Sequence, residues 1–211
     1  MGFGEDLRLW INIIKNPGKY AGKEMSIANA LKLYYEASII PFVLALVVGI
    51  PIVMYGTSTY LIPFSRTFVG MGMLATLAYV VGLIVSLWII TPIGIFVDAF
   101  LYHIVGKYIL NAWKRPYDNT FAATLFATLP MLFLYWLLPV PFINIFIMVI
   151  ILVWSFIVLI ISLALQQKTT RVNAFVAIIA TIIFTLLAVM VFVALLEMAL
   201  LPAAIAPMQT M

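Results

Sequence analysis

Four stretches of this 211-residue chain contain no Asp, Glu, Lys or Arg: residues 37–65, 67–97, 119–167 and 172–196. A helix rises about 1.5 Å per residue, so roughly 20 apolar residues cover about 30 Å of hydrocarbon, and each stretch is long enough to cross a bilayer. Three of them hold one span each. The third stretch is 49 residues long and is interrupted by Pro139, Pro141 and Asn144, where a hairpin between two spans fits better than a continuous helix. The pattern therefore predicts five spans, at 38–55, 70–97, 120–138, 142–165 and 173–196. The fold class expected is an all-α integral membrane protein, a bundle of five transmembrane helices behind short N-terminal amphipathic helices.

Composition excludes the alternative of a soluble globule, because 66% hydrophobic and 9% charged residues leave too little polar surface to cover one. Three segments follow from the spans: an amphipathic N-terminal segment at 1–36, the five-helix domain at 37–201 and a short tail at 202–211. No apolar core with a small-residue cleavage site follows the N-terminus, so the first span is expected to direct insertion itself. With no cysteine in the chain, disulfides, thiolate metal sites and cysteine nucleophiles are excluded.

Five spans make the connections alternate between the two sides, and the basic residues then divide sharply. Arg8, Lys15, Lys19, Lys23, Lys32, Lys107, Lys114, Arg115, Lys168 and Arg171 fall on one side, and of the eleven basic residues only Arg66 falls on the other. Lys and Arg are retained on the cytoplasmic face, which predicts an inside N-terminus and an outside C-terminus. The net charge of +4 is thus a retention signal spread over three short segments. It is not a footprint for nucleic acid, which would need a clustered basic face and stacking aromatics. Anionic inner-leaflet lipid is the better partner for these charges.

Residues 1–36 read as two amphipathic helices separated at Asn16-Pro17-Gly18. Leu7, Trp10, Ile11 and Ile14 share one stripe opposite Glu5, Arg8, Asn12 and Lys15; after a Ser26 cap, Ile27, Ala30, Leu31 and Tyr34 share another. Two uses are open for these stripes: lying on the inner leaflet, or docking a cytoplasmic protein through Trp10 and Ile14. The second basic segment, 102–118, carries Trp113, Lys114, Arg115 and Tyr117, a set that marks the headgroup level.

Within the spans, small residues four apart recur at Ala45 and Gly49; at Ala78, Gly82 and Ser86; at Ala123 and Ala127; and at Ala177, Thr181 and Thr185. Such pairs bring helix backbones close, and intramolecular packing is the expected use, with a homo-oligomer seam as the other. Pro92 and Pro130 each remove a backbone hydrogen bond and are expected to kink their helices. The ionisable groups near the membrane are Asp98, His103 and Glu197, with Asp98 expected near the cytoplasmic end of its span. Asp98 and His103 are five apart, about 140° around a helix, so they do not share a face as a metal pair would, and His103 is expected at the headgroup boundary. Metal centres built from several histidines and phosphate loops have no residues to form them, so no cofactor and no enzymatic activity are expected.

The order of motifs is informative: NPGKY at 16–20, IIPF at 39–42, DAFLYHIVGKYIL at 98–110, YDNTFAATLFATLP at 117–130, Pro-x-x-Asn at 141–144, a span bearing Trp154, and TTRVNAFVAI at 169–178. That order resembles the Yip domain family, named for Ypt/Rab-interacting proteins, and above all its prokaryotic branch. Tyr102, His103, Gly106, Thr120, Phe121, Pro130, Trp154, Thr170 and Arg171 carry the likeness. Where the family usually has Gly-Gly before the third span, this chain has Trp113, Lys114, Arg115 and Pro116. The resemblance implies five spans, an inside N-terminus and an outside C-terminus. Eukaryotic relatives act in vesicle traffic by binding small GTPases, through a long acidic N-terminal region that is absent here. The expected function is a scaffold or adaptor in a prokaryotic cell membrane, meeting protein or lipid at the cytoplasmic face. The other reading is a channel or small-solute transporter, with kinks at Pro92 and Pro130 and with Asp98 or Thr91 lining the path.

Overall fold

The structure, a computed structural model, describes residues 2–59, 68–140 and 142–205, and side chains for 2–54, 72–140 and 142–198. Arg66, Pro141 and residues 206–211 lie outside the described residues. Every regular element described is helical: α1 (Phe3–Lys15), α2 (Pro17–Tyr20), α3 (Ile27–Thr59), α4 (Phe68–Val85), α5 (Thr91–Ile104), α6 (Tyr117–Leu134), α7 (Ile143–Gln166) and α8 (Arg171–Ile205). A π turn at Ser86–Ile90 joins α4 to α5, and a second, Val105–Ile109, extends α5. Five helices are long and apolar enough to cross a membrane, at 27–54, 72–109, 117–137, 143–166 and 171–198.

The five differ in depth of burial in an order that their composition explains. The third span has the lowest hydropathy, 1.6 against 2.5 to 3.2, yet 61% of it is buried against 17–28% for the others. Its Asn119, Thr120, Ala122, Ala123, Thr124 and Ala127 meet protein on all sides. In lipid there is no premium on hiding apolar surface, so small and hydroxyl side chains that pack backbones closely take the centre, and Leu- and Ile-rich helices take the rim.

Three expectations change. First, the helix expected at 26–34 and the span expected from residue 38 are one helix, α3, so a boundary at residue 36 falls inside it. Lys32 and Glu36 do not end the helix because they pair with each other at 3.4 Å, and Lys32 also reaches Asp6 of α1 at 3.3 Å. Ser26 does cap its first turn, accepting from the Asn29 N–H at 3.4 Å.

Second, α1 is turned relative to the expected stripe. Its buried face is Asp6, Leu9, Trp10 and Ile13, while Ile11 is exposed and Leu7 and Ile14 are only partly covered. Lys32 draws Asp6 inward, and the Trp10 indole donates to the Leu129 carbonyl at 3.4 Å and meets Phe133 edge-on at 6.1 Å. The face that carries Trp10 is therefore packed on α3 and α6 within the chain. Leu9 and Ile13 leave water only by this docking, at roughly 1.5–3 kcal/mol each.

Third, the helix after Pro92 does not stop near Asp98 but continues to Ile109. The π turn absorbs Pro92. The Thr91 N–H bonds the Ser86 carbonyl, and in the same register Leu87 O would need the N–H that Pro92 lacks. Tyr34 of α3 supplies the missing donor at 2.5 Å. Beside it the Trp88 indole donates to Ser38 Oγ at 2.9 Å. The Tyr79 hydroxyl reaches Ala45 O at 2.9 Å across Gly49, where a side chain would strike the Tyr79 ring. Ala45, Gly49, Ala123, Ala127 and Ala177 thus serve packing inside the chain, whereas Ala78 and Gly82 are exposed.

Candidate functional site

The basic end of the bundle holds a buried polar cluster assembled from five segments. α7 ends in Gln166 and Gln167, both fully buried. The Gln166 side-chain amide donates to the carbonyls of Ala21, at 2.9 Å, and Lys23, at 2.8 Å, and accepts from Asn119 Nδ2 at 3.0 Å. Gln167 accepts from the Arg115 N–H at 3.0 Å and donates to Thr120 Oγ1 at 2.8 Å. His103 Nδ1 lies 2.8 Å from the same hydroxyl. Two glutamines thereby tie the chain entering α3, the start of α6 and, through Thr120, the last turn of α5 to the end of α7, leaving few amide groups unpaired in a low-dielectric site.

His103 was expected at a headgroup boundary, but it is buried within this cluster, between Thr120 and the Tyr117 ring at 5.7 Å. Trp113 was likewise expected at headgroup level and is buried too. Asn111 takes a positive φ of 51°, which turns the chain back so that the N–H groups of Ala112 and Trp113 both reach Gly106 O and the indole donates to Tyr102 O at 2.8 Å. A methyl at Gly106 would occupy the indole's place. At the rim the Arg115 guanidinium pairs with Glu24. That hydrogen bond, then the positive charge itself, holds the Glu24 carboxyl below its ordinary range. Lys114, Lys15, Lys19 and Arg8 are exposed.

Asp98 belongs to a different place. With Leu101 and Tyr102 of α5 it faces Thr181, Ile182, Thr185 and Leu186 of α8 across a cavity of about 190 Å³. Pro92 and Pro130 are buried in the packed core and do not line it. The structure thus separates residues that the transporter reading would bring together. Glu197 is exposed on α8, and among the described residues no three His, Cys, Asp or Glu side chains cluster as a metal site would require.

Asn119, Gln166, Gln167 and Glu24 are not singled out as site residues by the sequence pattern, in which residues 166–173 read only as a short polar turn between spans. Two amides in the last turn of a span otherwise built of Ile, Leu and Val were the available signal, since uncharged amides at a helix end in lipid need partners. Comparison with protein-family models, with curated proteins and with solved structures finds no match to this chain.

Proposed function

We propose that the chain is a non-enzymatic, multi-pass protein of Yip type in a prokaryotic cell membrane, with its N-terminus inside, acting as an adaptor at the cytoplasmic face. The observation that carries this reading is the anchoring of the N-terminal helices. The apolar face of α1 is spent on α3 and α6, and the segment between α2 and α3 is fastened by Gln166 and Arg115. What α1, α2 and the α5–α6 connection leave exposed are the charges of Arg8, Lys15, Lys19 and Lys114, on backbone anchored to the bundle. Basic side chains on an anchored backbone suit an acidic protein surface or anionic lipid headgroups, because little chain entropy is lost on contact. The distribution of basic residues and the likeness of motifs at 98–110 and 117–130 to the Yip family support the topology.

The test is charge reversal that spares the core: Lys15→Glu, Lys19→Glu and Lys114→Glu together, in the full chain. Proteins and lipids that co-purify from the native membrane are compared by mass spectrometry. Loss of phosphatidylglycerol or cardiolipin enrichment, or loss of a protein partner, at unchanged thermal stability is expected. Identical lipid and protein profiles would refute the reading.

A further inference from the structure

The Asp98 cavity holds a carboxylate in a setting that asks for a partner. Asp98 is the only acidic residue between Thr67 and Asn111, and eight residues of helix separate it from Lys107. Across the cavity, Thr181 lies ten residues beyond Arg171, about 15 Å along α8. Among the described residues no Lys, Arg or His pairs with Asp98. Asp98 is exposed at the mouth of this open cleft between two helices apolar enough to span a membrane, where hydrocarbon rather than water is the neighbour. A carboxylate there is costly unless something of opposite charge or a proton accompanies it.

We propose that this cavity binds a lipophilic organic ammonium ion, an amine carried on an aliphatic body. Asp98, Leu101 and Tyr102 are spaced i, i+3 and i+4 on one face of α5, and Thr181 and Thr185 are i and i+4 on α8. The carboxylate takes the charge, the Tyr102 ring and the Thr185 hydroxyl flank the head, and Leu101, Ile182 and Leu186 receive the apolar body. A bare metal ion does not fit this lining. Hard cations take six or more oxygens, whereas this cavity offers one carboxylate and three hydroxyls, of which Thr181 Oγ1 already donates to Ala177 O at 2.7 Å. The inference stands apart from the adaptor reading, since the cavity shares no residue with those basic side chains.

The experiment uses the full chain in phosphatidylcholine nanodiscs and a dodecylamine bearing a photoreactive diazirine. Labelling is expected in peptides covering residues 98–102 and 181–186. Excess dodecylamine should suppress it about tenfold while dodecanol at the same excess does not, since one charge-assisted hydrogen bond is worth roughly that factor. Asp98→Asn, close to isosteric, should abolish the competable labelling. Thr185→Leu, which fills the cavity and keeps the carboxylate, should do the same, and it serves as the test if Asp98→Asn fails to fold. Equal suppression by dodecanol, labelling spread evenly over all spans, or full labelling of a folded Asp98→Asn or Thr185→Leu variant would overturn the proposal.

Discussion

Replacing Gln166 by Leu should release the N-terminal segment while leaving the five spanning helices in place. The Gln166 amide makes three hydrogen bonds, to Ala21 O, Lys23 O and Asn119 Nδ2. Leu fills a similar volume and makes none. Two of the three hold residues 17–25, and each is worth roughly 0.5–1.5 kcal/mol net, so about 2 kcal/mol of the closure of that segment on α7 is at stake. At about 1.4 kcal/mol per decade, the open population should rise about thirtyfold. Trypsin cleavage at Lys19 and Lys23 reports that population directly while reclosing outpaces cleavage. Two arms separate the cause: Gln166→Leu should accelerate cleavage at these sites about thirtyfold by the same arithmetic, whereas Gln167→Leu, which touches Arg115 and Thr120 but not residues 21–23, should change it little. A Gln166→Leu protein cut no faster than the parent would show that the segment is held by something other than these bonds.

Gly106→Ala should destabilise the folded chain in detergent by about 1–3 kcal/mol, because its methyl collides with the Trp113 indole, and a thermal-unfolding scan monitored by tryptophan fluorescence should show both the lower midpoint and a more solvated Trp113. Tyr34→Phe removes the donor that serves Leu87 O, leaving a buried carbonyl unpaired at a cost of about 1–3 kcal/mol; a denaturant titration that shows no loss would contradict the account of how the π turn accommodates Pro92. The Glu24–Arg115 pair is acid-sensitive in a defined sense. Its folded-state carboxyl titrates below the unfolded value near 4.5, so its contribution is present above that pH and is lost as pH falls through the lower folded value. Parent and Glu24→Gln proteins should therefore differ in tryptic release of residues 1–23 at neutral pH and converge on acidification.

The spans were legible because charge is so expensive in hydrocarbon that its absence over 25 or more residues leaves few alternatives. Their ends were less so. Lys32, Glu36 and Asp98 look like boundaries in a one-dimensional reading, yet Lys32 pairs with both Glu36 and Asp6, and Asp98 faces a cavity inside the run of its helix. The rotation of α1 was hidden for a related reason: periodicity gives a stripe about two residues wide, and which edge turns inward is settled by Lys32 and Leu129, far away in sequence. The polar cluster was legible only as parts. Thr120, His103 and Gly106 stood out by resemblance, but the glutamines that join them to residues 21–23 are brought there by the return of α7, which no local pattern encodes.

The N-terminal helix is a packed member of the bundle, facing α3 and α6 with its apolar side. Because the chain has no cysteine, cysteines placed at Asp6 and Lys32, whose side chains meet at 3.3 Å, can be bridged by a short bifunctional thiol reagent in intact membranes. After unfolding and trypsin cleavage at Lys19 and Lys23, the account predicts that the two pieces stay joined within one chain until the bridge is cut. Separation of the pieces, with each thiol modified singly, would contradict it.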